Sequence, residues 1–185
     1  MSRKSPLRAL ALAVILLASG LVFLPAPAAA EQWAKVDMGK PYRPAATNGL
    51  YGVAVGDGDR NGHTEVYFSC DDDGHVYRFN YTNGTWNITD VGIVVGGNPY
   101  EVHARAILVG DGDDDGKEEI YVNGLYRQNW YNNLVNRLFQ FINSSGSWAR
   151  TDCGATGARS NDLALGDGNN DDRKEIFSAD QDGHM

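Results

Sequence analysis

The sequence predicts an all-β chain made of repeated four-stranded antiparallel units, on three observations. An acidic motif occurs three times at near-constant spacing, a Trp-x-x-x-Asp-x-Gly signature occurs three times out of phase with it, and no stretch after Leu24 carries a 3.6-residue hydrophobic period. The acidic copies read Val55-Gly-Asp-Gly-Asp-Arg-Asn-Gly-His-Thr-Glu-Val-Tyr67, Val109-Gly-Asp-Gly-Asp-Asp-Asp-Gly-Lys-Glu-Glu-Ile-Tyr121 and Leu165-Gly-Asp-Gly-Asn-Asn-Asp-Asp-Arg-Lys-Glu-Ile-Phe177. Their first aspartates, Asp57, Asp111 and Asp167, stand 54 and 56 residues apart. The second signature reads Trp33-Ala-Lys-Val-Asp37-Met-Gly39, Trp86-Asn-Ile-Thr-Asp90-Val-Gly92 and Trp148-Ala-Arg-Thr-Asp152-Cys-Gly154. Two independent signatures, each in three copies, make coincidence a poor account.

In the first repeat, strands are expected over Leu50 to Val55, Thr64 to Ser69, His75 to Tyr81 and Thr85 to Val91. The acidic loop, Asp71-Asp72-Asp73-Gly74 and Asn83-Gly84 separate them, and Asn-Gly closes a tight hairpin because both residues tolerate positive φ. Four short strands every fifty-odd residues are the sequence image of β-propeller blades. The 155 residues after position 30 hold about three such units, whereas closed propellers use about four to eight. The expectation is therefore an incomplete propeller over residues 31–185, truncated at the C-terminus. Further blades would come from missing sequence or from association.

Residues 1–30 read as a secretion signal: Arg3, Lys4 and Arg8 form a positive head, Ala9 to Leu24 is apolar, and Ala28-Ala29-Ala30 offers a small-residue cleavage site. The apolar run is shorter than the roughly 20 residues of a spanning helix, and no later segment could cross a membrane, so a secreted or cell-surface chain is expected. Without this segment 13 basic residues face 24 acidic ones. Such a surface repels phosphate backbones, which argues against nucleic acid as a partner. Two cysteines, Cys70 and Cys153, are too few for a disulfide scaffold, and a bridge between them is left open beside two free thiols.

The acidic loops carry the clearest chemistry. Oxygen-bearing side chains at loop positions 1, 3, 5 and 9, with glycine at 6 for a sharp turn, suit a hard cation that takes six to eight oxygen ligands. The first loop, 57–65, offers Asp57, Asp59, Asn61 and Glu65 with the carbonyl of His63 at position 7. The second, 111–119, offers Asp111, Asp113, Asp115 and Glu119 with the carbonyl of Lys117. The third, 167–175, offers Asp167, Asn169, Asp171 and Glu175 with the carbonyl of Arg173, but Asp172 replaces the glycine. That loop is expected to be the weakest, because a residue with a Cβ is forced toward a left-handed conformation. An EF-hand is rejected, since position 12 is Phe68, Val122 and Ser178 rather than glutamate and every loop runs into strand-forming residues. Up to three Ca²⁺ ions are expected, calcium being favoured over magnesium because it dehydrates more readily into an all-protein cage.

The second motif, Val-Gly-Asp-Gly-Asp-Asp-Asp-Gly-Lys-Glu-Glu-Ile-Tyr, resembles the FG-GAP (VCBS-type) repeat of integrin alpha-chain propellers and of many secreted microbial proteins. The resemblance runs from about Trp33 to the C-terminus and implies a calcium-binding β-propeller used for adhesion or for recognition of a glycan or an extracellular protein. Similar loops occur in propeller-type polysaccharide lyases such as the rhamnogalacturonan lyases, so part of a carbohydrate-active enzyme is the alternative. Asp172 is the clearest departure from the pattern.

Other residues divide into repeated and unique ones. The repeated Trp33, Trp86 and Trp148 read as packing between neighbouring sheets, and Asp37, Asp90 and Asp152 as partners of local turn backbone. Unique to the second repeat is an insert of eight residues within about Leu125 to Asn136. In an antiparallel meander it falls at the end opposite the acidic loops. Its Tyr126, Arg127, Trp130 and Tyr131 suit stacking on and hydrogen-bonding a sugar or a protein. His103, with Arg105, is the nearest approach to a base beside a positive group; no second acid or nucleophile can be placed beside them, so no catalytic residue is assigned.

Overall fold

The computed structural model describes residues 35–39, 41, 49–96, 101–127, 130–131, 133–157 and 159–181. The predicted signal segment and Trp33 lie outside them. The chain divides into two compact units, Met1–Val36 and Asp37–Met185, and every described strand belongs to the second. No described helix is long and apolar enough to cross a membrane.

Ten strands follow in order: β1 Leu50–Gly56, β2 Glu65–Cys70, β3 His75–Thr82, β4 Thr85–Ile93, β5 Glu101–Gly110, β6 Glu119–Arg127, β7 Val135–Ser144, β8 Ser147–Ala155, β9 Ser160–Gly166 and β10 Glu175–Asp180. They form three antiparallel sheets, β1-β2-β3-β4, β5-β6-β7-β8 and β9-β10. The chain is all-β, and the four strands expected in the first repeat are found within two residues of their predicted bounds. Asn83 and Gly84 close the β3–β4 hairpin at φ 52° and 79°, both left-handed as the Asn-Gly turn requires.

The Trp-x-x-x-Asp-x-Gly signature marks a kink in the fourth strand of a sheet. Val76 pairs with Gly92 but Tyr77 with Asp90, and Leu138 pairs with Gly154 but Phe139 with Asp152, so Val91 and Cys153 are the extra residues of two bulges. The aspartate holds the kink: Gly154 N–H donates to Asp152 Oδ1 at 3.0 Å, and Gly39 N–H to Asp37 Oδ1 at 2.9 Å. Asp90 instead meets His75 Nδ1 at 2.9 Å. Of the described tryptophans, Trp148 packs between sheets as expected, edge-on to Tyr67 of the preceding sheet (6.4 Å between centroids, 81° between planes), whereas Trp86 packs against Tyr81, its cross-strand partner in the same sheet.

First strands lie side by side, β1 against β5 and β5 against β9. One core, with Tyr67, Val76, Ile107, Ile120, Val122, Phe139 and Phe141, fills the space between the first two sheets. Another, with Ala106, Tyr121 and Leu163, joins the second to the third. The middle sheet is thus covered on both faces, which is why β6 is buried from Glu119 to Leu125 although strands with one wet face alternate.

The junctions share one rule. Alternate residues of β1, namely Gly52, Ala54 and Gly56, face β5, and a Cβ on Gly56 would stand 2.5 Å from Val109 Cγ1. One on Gly52 would lie 2.9 Å from Ile107 Cγ2. At the next junction a Cβ on Gly110 would lie 2.7 Å from Leu165 Cδ2. Small residues on a first strand receive branched side chains from the following sheet, so the backbones approach closely without a void.

Both cysteines are free thiols; Cys70 is buried in the cluster with Tyr77 and Phe79, and Cys153 is exposed on its bulge. Burial pushes the Cys70 thiol up to about 11. A thiol reagent at neutral pH should therefore label one cysteine per folded chain, at Cys153, and the second only on unfolding. Two fast-reacting thiols would contradict this placement of Cys70.

Candidate metal centres

Each acidic loop joins the first strand of a sheet to the second, and all three are wound by the same hydrogen bonds. The position-1 carboxylate accepts from the N–H of position 6: Gly62 to Asp57 at 2.9 Å, Gly116 to Asp111 at 3.2 Å and Asp172 to Asp167 at 2.9 Å. Position 3 accepts from position 5 in each, Asn61 to Asp59, Asp115 to Asp113 and Asp171 to Asn169. Position 5 accepts from position 7, whose donors are the N–H groups of His63, Lys117 and Arg173. These short-range bonds replace a strand ladder and curl the backbone around its own side-chain oxygens.

Position 6 is left-handed in every copy, at φ 86° for Gly62, 84° for Gly116 and 65° for Asp172. Asp172 adopts the conformation that its glycine counterparts adopt without a Cβ, which locates the expected weakness of the third loop. Position 4 is left-handed too, at Arg60, Asp114 and Asn170, and the motif gave no sign of it. The glycine at position 2 has a steric cause. A Cβ on Gly58, Gly112 or Gly168 would meet the ring of Tyr67, Tyr121 or Phe177, the aromatic at position 11, at 3.1, 2.8 and 2.4 Å.

The winding brings three acidic groups together, Asp57 with Asp59 and Glu65, Asp111 with Asp113 and Asp115, and Asp167 with Asp171 and Glu175, each with ligand-type oxygens within 4.8 Å of one another. These three clusters could hold metal ions. Asn61 and Asn169 join the first and third by donating to Glu65 Oε1 at 2.9 Å and Glu175 Oε1 at 3.0 Å. Glu119 stands apart from its loop's triad: it takes the Tyr121 hydroxyl at 3.0 Å and pairs with the Arg60 guanidinium. Burial pushes the carboxyls of Glu65 and Glu119 above the ordinary glutamate value.

Basic side chains from outside each loop reach into the first two clusters. Arg78 of β3 pairs with Asp59. Arg60 crosses from the first loop to the second, where it also approaches Asp115 at 3.8 Å. Lys174 crosses from the third loop to Asp111 Oδ2 at 3.0 Å and Asp114 at 3.4 Å, and holds the Asp111 carboxyl below its ordinary value. These cross-loop cations escaped the sequence reading because they occupy different loop positions, 4 and 8, so no repeat marks them. Basic residues inside acidic loops, Arg60 in the first and Arg173-Lys174 in the third, were the signal available.

The insert leaves the far end of β6, opposite the loop at its start. Its four candidate residues separate: Tyr126 packs against the first core, Arg127 pairs with Glu101 Oε2 at 3.3 Å, and Trp130 and Tyr131 are 63% and 94% exposed. Beside them His103 meets Glu101 Oε1 through Nε2 at 3.0 Å and the Asp71 carbonyl through Nδ1 at 2.6 Å, while Arg105 pairs with Asp71 Oδ1 at 2.9 Å. The second acid that the sequence could not place near His103 is thus Asp71, beside the adjacent Glu101. Both ring nitrogens are engaged, and the network ties the β2–β3 turn to β5 and β6.

Compared with known proteins, the chain matches no family model, no curated protein and no solved structure.

Proposed function

We propose that this chain is a calcium-binding repeat module of the FG-GAP type, with its sheets serving as propeller blades, which works outside the cell in recognition of a glycan or a protein. The observation that carries the reading is the common winding of three loops, each converging acidic oxygens within 4.8 Å. A turn needed only for solubility has no reason to repeat the same set of inward bonds at three places. Ca²⁺ in each loop would be held by side chains at positions 1, 3, 5 and 9 and would neutralise carboxylates that otherwise repel one another.

Recognition is assigned to the opposite end, where Trp130 and Tyr131 present aromatic surface beside the Arg127–Glu101 pair. Catalysis as a polysaccharide lyase has less support, because His103 has both nitrogens committed to neighbours. Replacing Trp130 and Tyr131 by alanine and screening a glycan array should abolish any wild-type signal while the chain stays folded. Undiminished binding by the double variant would remove the insert from the reading.

A further inference from the structure

The middle loop, 111–119, is the most acidic of the three and the one least closed on its own carboxylates. In the other two loops the position-1 aspartate uses both oxygens. Asp57 Oδ1 accepts from Asn61 N–H at 2.9 Å and Asp167 Oδ1 from Asp171 N–H at 3.0 Å, beside the position-6 bonds to Oδ2. In the middle loop the position-6 bond is longer, 3.2 Å, and Asp111 Oδ1 is buried without a hydrogen-bond partner. The position-9 glutamate departs in the same sense. Glu65 and Glu175 accept from an asparagine of their own loop, whereas Glu119 accepts from Arg60 of the first loop.

Cations from the two neighbouring loops account for both departures. Lys174, at position 8 of the third loop, places Nζ 3.0 Å from Asp111 Oδ2, 3.1 Å from the Asp111 carbonyl and 3.4 Å from Asp114 Oδ1. An ammonium has three N–H donors, and here three acceptors of the middle loop surround it. Position 8 of the middle loop is instead Glu118, which accepts from the Asp57 N–H and leaves the Asp57 carboxylate to its own loop. The sign of the residue at position 8 in the following loop thus separates the first loop from the second. At the other end Arg60 pairs with the buried Glu119 carboxylate and donates to the Glu118 carbonyl at 3.2 Å. The donor set fits a hard cation, since Asp111 lies in the triad whose oxygens come within 4.8 Å of one another and its Oδ1 has no donor.

We propose, on the reading of the loops as calcium sites, that Lys174 and Arg60 are the middle loop's own counter-ions, which hold its first and ninth carboxylates aside and set its calcium affinity by competing with the ion. Asp111, Asp113, Asp114 and Asp115 crowd into one turn, and the neighbours' positive charges offset their repulsion until a divalent ion replaces them. Binding through positions 1 and 9 takes Asp111 from Lys174 and Glu119 from Arg60. Each cation ties the middle loop to a different neighbour, so filling this loop releases a tie on either side.

The test is calcium titration of the full chain, followed loop by loop through the amide resonances of Gly62 and Gly116. Lys174→Met should tighten the Gly116 response roughly two- to fivefold, as expected for loss of a competing, partly exposed ion pair, and leave the Gly62 response unchanged. Lys174→Arg, which keeps the charge, should behave as wild type. Arg60→Gln acts at the other end of the loop and should tighten the Gly116 response as well. Before any metal is added, Lys174→Met should also move the Asp115 amide toward the position of a hydrogen-bonded proton. Asp111 Oδ1 can then accept it as Asp57 Oδ1 accepts from Asn61, a bond that loss of positive charge in the neighbourhood does not by itself make. A Gly116 response of wild-type strength in Lys174→Met, or an Asp115 amide that stays in place in the metal-free variant, would overturn the proposal. If neither glycine amide responds to calcium in any variant, the calcium reading itself fails and takes the proposal with it.

Discussion

Chelation should lower the melting temperature of this chain, and the difference between calcium and chelator should widen as pH rises. A site held a hundred-fold above its dissociation constant adds about 2.7 kcal/mol to folding. For a chain of this size that is roughly 5–10 °C per loop. The pH dependence follows from Glu65 and Glu119, whose folded carboxyls are raised above the ordinary glutamate value by burial. Without metal, the folded chain keeps these protons to higher pH than the unfolded chain does. Their contribution is complete below the ordinary value and is lost as pH rises through the raised one. A bound divalent cation favours the ionised form, so its stabilisation grows over the same window. Melting curves in calcium and in chelator, at several pH values above the ordinary glutamate range, measure both effects. Curves that superimpose would refute calcium binding; a pH-independent gap would leave the metal but remove the two glutamates from its sites.

A single methyl group at Gly56 should loosen the first junction. Its Cβ would lie 2.5 Å from Val109 Cγ1 and 2.6 Å from Glu118 Oε2, and the valine sits on a strand packed between two sheets, with little room to withdraw. Overpacking of this kind costs about 1–3 kcal/mol. Gly56→Ala should therefore lower stability to urea by about 2 kcal/mol, toward the middle of that range. Val109→Ala opens a void alone, yet in the double variant it removes the clashing methyl groups, so the two effects should be coupled by about 1 kcal/mol or more. A Gly56→Ala chain as stable as wild type would mean that the sheets slide apart at no cost.

Local chemistry was legible in the sequence wherever it repeated. The Asn83-Gly84 turn, the strands of the first sheet and the loop positions followed from residue types that each have one strong conformational preference. The kink at Asp-x-Gly was legible in part: Asp152 and Asp37 could be assigned to turn backbone, but that Cys153 would stand outside the ladder required the pairing register. The aligned Val91, on the equivalent bulge, is buried in the core between the first two sheets, whereas Cys153 is exposed. The cross-loop cations were not legible, because which loop Arg60 or Lys174 reaches depends on how closely neighbouring sheets stack. The insert divided for a similar reason, since Tyr126 lies within β6 and follows its packing while Trp130 and Tyr131 lie beyond it.

The aromatic beneath each loop has an optical consequence. Tyr67 and Tyr121 donate their hydroxyls to Glu65 and Glu119 at 3.1 and 3.0 Å, whereas the third loop has Phe177 and no hydroxyl. An ion that draws those glutamates toward itself would change the hydrogen bond of the phenol and with it the near-ultraviolet absorbance and emission of the ring. The chain thus carries its own spectroscopic indicators for two of the three loops, while the third would fill in the dark.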